Sequence, residues 1–428
     1  MKKLIKTKIE KLVFGGQALG KYEEKIILAW NAIPGEEAEI EIYKNKKTYA
    51  EGIATNILNP SPNRTEPEEE HFLSCSPWQI LNWEQENIWK KKIAKETYER
   101  IGMLSKLPDF EIIADSKNQF NYRNKMEYSF ALDNEGYISP AFFKRGTHKR
   151  MPINFCKLAE SSINDSAQKI ISWLNQNSVP INILKTLILR CNDKNEVIAG
   201  LFVKENFPFR NYPPLNENLK GFQIHLSNPL SPASVSDKKL FEEGQDSLEI
   251  EIKGKKLKFG LLSFFQINLS LFKITLEDIL KFLDSNKSAI DYYSGVGAIS
   301  LPLSSSFKDC VLVDSDKEAI YYAEENIRKN QINNCKTINK PAEKTIELIE
   351  KNKIILFDPP RAGLHKKIIR KILLEKPIRI IYLSCNLSTQ ARDIQLLQSS
   401  YEIKFLRLYN FFPRTPHIEG LCVLDRKY

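Results

Sequence analysis

The chain has 428 residues, of which 42% are hydrophobic and 27% charged, and its formal net charge at pH 7 is +10. This length exceeds one ordinary domain, so we expect two or three domains. No apolar run reaches the length of a membrane span, and the first residues lack the apolar core of a secretory signal. We therefore expect a cytoplasmic protein that does not enter a membrane. The basic balance favours a polyanionic partner, although many basic proteins have none.

The seven cysteines are scattered along the chain, and no Cys-x-x-Cys pair occurs among them. Their odd number and irregular spacing exclude a disulfide framework, and the missing pair argues against a zinc site. We expect no metal site and expect most of these thiols to be inert core residues.

The first part of the chain, residues 1–57, is predicted as a small closed barrel of the oligonucleotide-binding (OB) type. Glycine turns and a lysine-rich turn separate five predicted strands: Ile5–Leu12, Ala18–Tyr22, Lys25–Trp30, Ala38–Tyr43 and Tyr49–Ile57. The lysines between Lys2 and Lys47 suit contacts with phosphates, or they form an ordinary solvated surface. The proline-rich and then acidic segment Asn59–Glu70 follows as a predicted linker.

Residues 58–258 are predicted as a central α+β domain that binds RNA. Its predicted elements are helices at Trp83–Ile101 and Ala159–Gln176 and strands at Tyr122–Phe130, 182–190 and 196–203. The helix near 83–105 is a candidate for packing on the C-terminal domain, residues 259–428. The stretch Phe142–Arg150 places four basic residues beside two aromatic ones, which suits single-stranded RNA and an exposed basic hairpin equally well.

Residues 259–428 alternate strand and helix, which predicts a doubly wound α/β domain. Ala289–Pro302 is predicted as a strand, a glycine turn and a helix, in which Gly295 and Gly297 let the backbone approach a ligand. Asp314 ends the next strand, about where a carboxylate binds ribose hydroxyls. Because the third glycine of a dinucleotide fingerprint is absent, the pattern favours S-adenosylmethionine over NAD.

Three further segments end in chemically useful side chains. A buried strand from Ile354 ends in Asp358 and a proline turn, and another ends at Ser384 and Cys385, with a helix predicted to start near Ser388. A thiol at a helix start is favoured as thiolate, although a free cysteine is often only a core residue. Glu419 lies in a predicted aromatic loop before an apolar strand.

Five motifs occur in the order seen in RNA (uracil-5-)-methyltransferases, which the chain resembles over essentially its whole length. The motifs are Phe264-Phe-Gln-Ile-Asn268, Asp291-Tyr-Tyr-Ser-Gly-Val-Gly297, Asp358-Pro-Pro-Arg-Ala-Gly363, Ser384-Cys-Asn386 and Phe412-Pro-Arg-Thr-Pro-His-Ile-Glu419. The resemblance implies a Rossmann-like class I methyltransferase domain that makes 5-methyluridine in RNA. The N-terminal barrel is similar to the TRAM domain of many members that act on ribosomal RNA.

The resemblance also implies roles for single residues. Cys385 matches the nucleophile that adds to uracil C6, and Glu419 matches the base that accepts the C5 proton. The positions that match S-adenosylmethionine contacts are Gln266, Tyr293, Gly295, Gly297, Asp314 and Asp358. Phe264, Phe265 and Phe412 are candidates for stacking on the target base, although core packing suits each of them equally.

One departure from the family concerns its iron–sulfur cluster. Many members ligate a [4Fe–4S] cluster with four cysteines, whereas this chain offers Cys75 and Cys156 and has Trp78 where the third ligand would be. Two thiolates do not complete a four-cysteine site. We expect no cluster and expect Trp78 to fill the space by packing.

The RNA substrate stays open at this stage. The TRAM-like barrel favours 23S ribosomal RNA, with transfer RNA as the alternative, and we expect a monomer. Methylation of an exocyclic amine, which Asp-Pro-Pro also suggests, has no use for Cys385 or Glu419. A non-catalytic RNA-binding protein would have no use for the cofactor residues either.

Overall fold

The structure is a computed structural model that describes residues 3–104, 107–231 and 233–427. These residues form two compact units. The first unit comprises the described parts of Met1–Trp89, Ser116–Asp246 and Phe412–His417, and the second those of Lys90–Asp115, Ser247–Phe411 and Ile418–Tyr428. The three-domain division with boundaries near residues 57 and 258 stays a prediction. Lys2 and Ser105, which fall in a predicted lysine-rich surface and helix, lie outside the described residues.

The first unit begins with a closed five-stranded barrel, which confirms the OB-like prediction. Its strands are β1 (Leu4–Leu12), β2 (Ala18–Tyr22), β3 (Lys25–Trp30), β4 (Glu37–Asn45) and β5 (Tyr49–Asn59), and they close in the order β1-β2-β3-β5-β4. Alternate residues of β1 point inward, so Ile5 and Ile9 are buried while Lys6 and Lys8 face solvent. The alternation of apolar and charged residues thus separates the barrel's core from its basic surface.

The rest of the first unit is built on a seven-stranded sheet. Between barrel and sheet come the short helix α1 (Phe72–Cys75), helix α2 (Trp83–Arg100) and strand β6 (Ile112–Ile113). Helix α2 from Lys90 onwards and strand β6 belong to the second unit. The sheet order is β13-β12-β11-β10-β7-β8-β9. Its elements are β7 (Lys125–Leu132), β8 (Ile138–Phe143), β9 (Arg150–Pro152), α3 (Ser161–Gln176), β10 (Leu184–Cys191), β11 (Val197–Val203), β12 (Leu219–Leu226) and β13 (Lys238–Gly244).

Helix α3 covers this sheet with the apolar face that its sequence predicts. Ile163, Ile170 and Leu174 recur at helical spacing and are buried, and the helix packs on β8 and β10. Trp78, in the same unit, is 3% exposed, and its indole N–H donates to the Gly16 carbonyl at 2.9 Å. Trp78 is therefore a core residue, as expected.

The second unit is a doubly wound α/β structure. Its elements are β14 (Ser247–Ile252), β15 (Lys255–Gly260), α4 (Leu269–Leu280), β16 (Ala289–Tyr292), β17 (Cys310–Asp314), α5 (Lys317–Lys329), β18 (Cys335–Asn339), β19 (Ile354–Phe357), α6 (Lys366–Glu375), β20 (Arg379–Ser384), α7 (Leu387–Leu397), β21 (Tyr401–Tyr409) and β22 (Glu419–Arg426). The main sheet has the order β18-β17-β16-β19-β20-β22-β21-β6, which confirms the predicted Rossmann-like class.

The sheet reverses its strand order beside β16. From β16 the chain moves outward through β17 to β18, then returns to build β19 and β20 on the other side, and these five strands are parallel. Ligands of open α/β sheets bind at the carboxyl ends of the strands beside such a reversal. Strand β22 is antiparallel to β20 and β21, so its amino end lies at the same edge.

The helix predicted after the glycine turn is wrong. Residues 293–303 form consecutive turns, followed by a short 3-10 helix at Ser304–Ser306. Gly295 and Gly297 have φ values of +55° and +84°, outside the helical region, and Pro302 has no N–H for a helical hydrogen bond. The segment therefore follows a tight path that keeps its backbone near the strand ends.

Within the described residues, every helix is too short or too polar to cross a bilayer.

Candidate active site

The candidate site lies where the parallel strands of the second unit end. Tyr293 and Gly295 follow β16, Asp314 is the last residue of β17, Asp358 follows β19 and Cys385 follows β20. Since neighbouring parallel strands end at one edge of the sheet, these side chains converge there. The sequence-predicted residues thus meet at one place although 92 positions separate Tyr293 from Cys385.

Glu419 reaches the same edge through the antiparallel strand. The register of β20 and β22 runs from Arg379 opposite Asp425 to Ser384 opposite Gly420. Cys385 follows the last of these pairs in a bend, and Glu419 precedes Gly420 as the first residue of β22. The Glu419 charge raises the pKa of the Cys385 thiol, so the two groups lie within electrostatic range of each other. The structure therefore brings the predicted nucleophile and the predicted base together.

The Cys385 thiol is half-buried, and its pKa is raised to about 11. Burial is the main cause, the charges of Glu419 and Asp358 add to it, and Arg361 acts in the opposite direction. The expectation that the start of α7 favours the thiolate is therefore wrong for this structure. The helix start is already capped by Asn386, whose side chain accepts from the Ser388 N–H at 3.1 Å.

Glu419 was predicted in a loop, but it is the first residue of β22. Its backbone pairs with Tyr409 of β21, and its side chain is 4% exposed. Burial raises the pKa of its carboxyl well above the usual value, and Asp358 raises it further, while Arg361 lowers it. A carboxyl in this setting holds a proton at a pH where an exposed glutamate has lost it.

Asp358 and Gln266 form a hydrogen-bonded pair. The Gln266 Nε2 donates to Asp358 Oδ2 at 2.9 Å, and Gln266 itself is buried. Burial and the charge of Asp291 raise the pKa of Asp358 to about 7, and the bond from Gln266 lowers it. The amide fixes the orientation of the carboxyl and leaves its other oxygen available to a ligand.

Asp314 is tied to the glycine turn. Its Oδ2 accepts from the Gly295 N–H at 2.8 Å, and its Oδ1 accepts from the Asp316 N–H at 2.9 Å. A carboxylate held by two backbone donors keeps lone pairs for the two hydroxyls of a ribose. A Cβ atom at Gly295 would meet only the Phe264 carbonyl oxygen, at 3.8 Å, so there is space for a ligand beside this turn.

The other two predicted cofactor residues shape the same turn. Tyr293 has φ of +62°, its N–H donates to the Val313 carbonyl at 2.9 Å, and burial raises the pKa of its phenol to about 12. A Cβ at Gly297 would lie 2.5 Å from Leu301 Cδ1, so this position has no room for a side chain. Both residues therefore hold the backbone path past Asp314.

Comparison with known proteins agrees with this geometry. The model of the tRNA (uracil-5-)-methyltransferase family matches residues 90–427. An uncharacterized RNA methyltransferase of Fusobacterium nucleatum is 31% identical over 99% of this chain and 96% of its own length, and one of Aquifex aeolicus is 29% identical over 99% of both. The chain belongs to the tRNA (uracil-5-)-methyltransferase family.

A solved structure of the same fold covers both units. It is the tRNA (uracil-54, C5)-methyltransferase of Pyrococcus abyssi in complex with S-adenosyl-L-homocysteine, with a TM-score of 0.77 and 23% identity over 98% of this chain and 100% of that one. As a member of this family the chain is an RNA methyltransferase, which confirms the predicted class of enzyme.

Two charged residues of this methyltransferase lie within quoted motifs but were given no role. Asp291 is 1% exposed, and neither of its carboxyl oxygens forms a hydrogen bond of normal distance and angle with another described residue. Ser300 lies near this carboxyl and lowers its pKa. Burial, with a contribution from Asp314, nevertheless raises the pKa of Asp291 to about 7. Arg361 is exposed and opposes the pKa increase of both Cys385 and Glu419.

Gln390, which no motif indicated, holds the β20–β22 pair from α7. Its Nε2 donates to the carbonyls of Tyr382 at 2.8 Å and Gly420 at 2.9 Å, and its Oε1 accepts from the Tyr98 hydroxyl at 2.6 Å. A Cβ at Gly420 would lie 2.6 Å from Leu387 Cδ2, so α7 approaches the strand closely only because that residue is glycine. No sequence pattern around Gln390 predicts this role, because it depends on contacts between α7 and two strands.

The aromatic candidates differ in exposure. Phe264 is 64% exposed, and its carbonyl lies beside Gly295, so it remains a stacking candidate. Phe265 is 1% exposed and stacks on Phe259 at a centroid distance of 4.6 Å, which makes it a core residue. Phe412 belongs to the first unit, where its ring meets His417 edge-on at 5.6 Å.

The substitution Asp291→Asn tests the buried, unpaired carboxyl. An unfolded aspartate ionises near pH 4, whereas the folded pKa is about 7, so the stability of the wild type falls as pH rises through this window. We expect the variant to exceed the wild type in free energy of unfolding by on the order of 2 kcal/mol at pH 8 and by little at pH 4. Chemical unfolding at both pH values measures this.

The control for that comparison is Asp193→Asn, at an exposed position of the first unit. It should shift stability by less than about 0.5 kcal/mol at either pH. An Asp291→Asn effect of equal size at pH 4 and pH 8 would contradict the assignment.

Proposed function

We propose that this enzyme transfers a methyl group from S-adenosylmethionine to C5 of a uridine in RNA through a covalent Cys385–C6 adduct. The observation that carries the proposal is the pairing of Ser384 with Gly420, which brings the adjacent Cys385 and the buried Glu419 to one end of the strand pair. A thiol and a carboxyl near each other are the two groups this chemistry requires. Exocyclic amine methylation and passive RNA binding explain neither.

The proposed cofactor residues are those gathered at the strand ends. Asp314, held by the Gly295 N–H, receives the ribose hydroxyls, and Tyr293 and Gly297 hold the backbone beside it. Gln266 orients Asp358, which we place between the cofactor and the base, where its other oxygen accepts from a donor of the cofactor or of the uracil. The open space beside Gly295 and the doubly held carboxylate fit a nucleoside at this position.

Two side chains of the protein, Cys385 and Glu419, take part in the reaction. Bound S-adenosylmethionine supplies an electrophilic methyl group on a sulfonium. The Cys385 thiolate adds to uracil C6, and the electron pair that moves to C5 and O4 makes C5 nucleophilic. C5 would then form a bond to the methyl carbon, whose bond to sulfur breaks to leave S-adenosylhomocysteine. Glu419 then accepts the C5 proton, the C5–C6 double bond returns, and the C6–S bond breaks to release the thiolate.

The charges around the site determine the protonation states of Cys385 and Glu419, and these steps require both groups in their deprotonated form. The thiol pKa of about 11 and the raised pKa of Glu419 both reflect burial among groups of negative charge. A cation beside them would favour thiolate and carboxylate, and the sulfonium of the cofactor would supply such a charge. Arg361, which already lowers both pKa values, adds to this effect.

For the RNA we propose 23S ribosomal RNA, with transfer RNA as the alternative, and a cytoplasmic monomer. The closed barrel with exposed Lys6 and Lys8 supports a contact with phosphates. The hairpin Phe142–Arg150 adds exposed basic residues beside Phe143, which is 51% exposed. Arg145 of that hairpin instead lies 4.1 Å from the centre of the Trp30 ring, so its role within the first unit is structural.

Cys385→Ala should abolish turnover because no other group can form the C6 bond. We expect kcat to fall on the order of 10⁴-fold or more, while the affinity for S-adenosylmethionine and the circular dichroism spectrum stay unchanged. Methyl transfer from labelled cofactor to RNA, with calorimetric binding of cofactor, measures both. Cys335→Ser, at a half-buried thiol of β18, is the matched control and should retain activity. An alanine variant within tenfold of the wild type would refute the assignment.

Glu419→Gln should separate methyl transfer from product release. The amide cannot accept the C5 proton, so turnover should fall about 10²- to 10⁴-fold and a covalent enzyme–RNA adduct should accumulate. The adduct appears as a slower band on a denaturing gel that depends on cofactor. Glu402→Gln, at an exposed position of β21, should behave as the wild type. Normal product release by the Glu419 variant would place the base elsewhere.

The RNA substrate is tested by deleting the gene and mapping 5-methyluridine by mass spectrometry in both RNA pools. We expect one uridine of 23S ribosomal RNA to lose its methyl group while transfer RNA is unchanged. Purified enzyme should restore the mark on ribosomal RNA from the deletion strain. Loss from transfer RNA alone would favour the alternative substrate.

A further inference from the structure

A run of cations follows the proline turn of the second unit. From Arg361 to Lys371 the sequence has five lysine and arginine side chains and no carboxylate. Three of these cations, Lys366, Lys367 and Arg370, are exposed on α6, and none of the three forms an ion pair with a carboxylate of the described residues. We call these three residues the α6 basic strip.

The spacing of the cations along α6 is unfavourable for an isolated helix. Lys366 and Arg370 are four residues apart, and so are Lys367 and Lys371, which makes each pair neighbours on the helix surface. Like charges at this spacing repel each other. Lys371 is compensated by Glu375, whose carboxylate lies 2.7 Å from its Nζ, whereas no carboxylate of the described residues compensates the Lys366–Arg370 pair.

The strip also lies at the less favourable end of the helix. Lys366 and Lys367 occupy the first turn of α6, which has no acidic residue, and Glu375 is its last residue. The backbone N–H groups give a helix start a partial positive charge, so a cation there is unfavourable. Helix α5 has the favourable arrangement, with Glu318 in its first turn and Arg328 in its last. Because helix stability does not explain the strip, its charges point to an anionic ligand.

The strip lies at the edge of the sheet that carries the candidate site. Helix α6 joins β19 to β20, and these two strands are parallel. A helix that joins parallel strands starts at their carboxyl ends and returns to their amino ends. The first turns of α6, which contain the strip, are therefore at the same edge as Asp358 and Cys385.

Contacts with α7 hold the segment that leads to the strip. The Arg361 carbonyl accepts from Asn386 Nδ2 at 2.8 Å, and the Leu364 N–H donates to Asp393 Oδ2 at 2.8 Å. Asn386 caps α7, Asp393 lies within that helix and is buried, and Cys385 immediately precedes the cap. The start of α6 is thus tied to the helix that follows the predicted nucleophile.

We propose that the α6 basic strip binds phosphate groups of the RNA substrate beside the candidate site. This inference rests on the proposed function, because it takes the ligand of that site to be an RNA. Exposed lysine and arginine side chains without carboxylate partners are the groups that neutralise phosphates. Such contacts increase affinity and position the strand, but they read no base. The strip adds a contact on the second unit to those proposed for the barrel and the hairpin of the first.

The test removes the three charges by combining Lys366→Gln, Lys367→Gln and Arg370→Gln in the full-length protein. Fluorescence anisotropy measures the binding of a fluorescein-labelled single-stranded oligouridine RNA, without cofactor, at several salt concentrations. We expect the dissociation constant to rise about 10-fold or more. The slope of log affinity against log salt should become shallower by about 2, since each contact with a single strand contributes about 0.7. No turnover enters this measurement, so its result is separate from that of the Cys385 and Glu419 variants.

The matched control removes three charges from the opposite edge of the same sheet. Lys308, Lys336 and Lys351 are exposed and lie at or just before the amino ends of β17, β18 and β19. A protein with Lys308→Gln, Lys336→Gln and Lys351→Gln has the same net charge as the strip variant. Its dissociation constant for oligouridine should stay within about twofold of the wild type.

Thermal unfolding separates a lost contact from a damaged fold. The strip variant should melt at the same temperature as the wild type or higher, because the substitutions remove repulsion between like charges and cations from a helix start. If the strip variant does not fold, Lys367→Gln alone is measured, and its salt slope should become shallower by about 0.7.

Two results would overturn the proposal. The first is a folded strip variant, or Lys367→Gln in its place, with the affinity and salt slope of the wild type; an acidic protein would then be the better partner for the strip. The second is an equal loss of affinity in the strip and control variants, because net charge alone would then explain the effect.

Discussion

The antiparallel register between β20 and β22 is the constraint on which the candidate site depends. It pairs Ser384 with Gly420, so the adjacent Cys385 and Glu419 come to the same strand ends, and a slip by one residue would turn one of the two side chains to the other face. Gln390 bridges the carbonyls of both strands, and Gly420 lets α7 approach closely enough for it to do so. The parallel strands then add Asp314 and Asp358 at the same edge of the sheet.

This arrangement has an electrostatic consequence. Asp291, Asp358 and Glu419 all have raised pKa values, because burial disfavours their charges and the charge of a neighbouring aspartate adds to the effect at each of them. The thiol of Cys385 is held neutral by the same causes. In the proposed mechanism, a cation bound beside these groups would favour the thiolate and so raise the reactivity of the thiol. Arg361 provides part of that positive charge in advance.

Much of the fold could be predicted because local patterns determine it. The five barrel strands were placed within one to two residues at nearly every end, and the helix predicted at Ala159–Gln176 occurs at Ser161–Gln176. Alternating apolar residues, glycine turns and the 3.6-residue period are properties of neighbouring positions. The position of Cys385 at a strand end followed from the same kind of pattern.

The errors had one local cause and several distant ones. Pro302 and two glycines with positive φ prevented the helix expected after the glycine turn. Glu419 joined β22 because Tyr409, ten positions earlier, supplies its backbone partner. The pKa of Cys385 follows from burial and from carboxylates at the ends of other strands, so a prediction based on the helix start alone gave the wrong direction. The role of Gln390 depends on contacts that no local spacing indicates.

The central claim is that Cys385 bonds reversibly to uracil C6 and that Glu419 accepts the C5 proton. RNA that contains 5-fluorouridine tests it most directly, because a fluorine at C5 cannot be removed as a proton and the adduct is trapped. After incubation with S-adenosylmethionine, digestion and mass spectrometry should find a methylated fluorouracil adduct on the peptide that contains Cys385. Fluorouridine RNA that is methylated or bound without any bond to Cys385 would contradict this account.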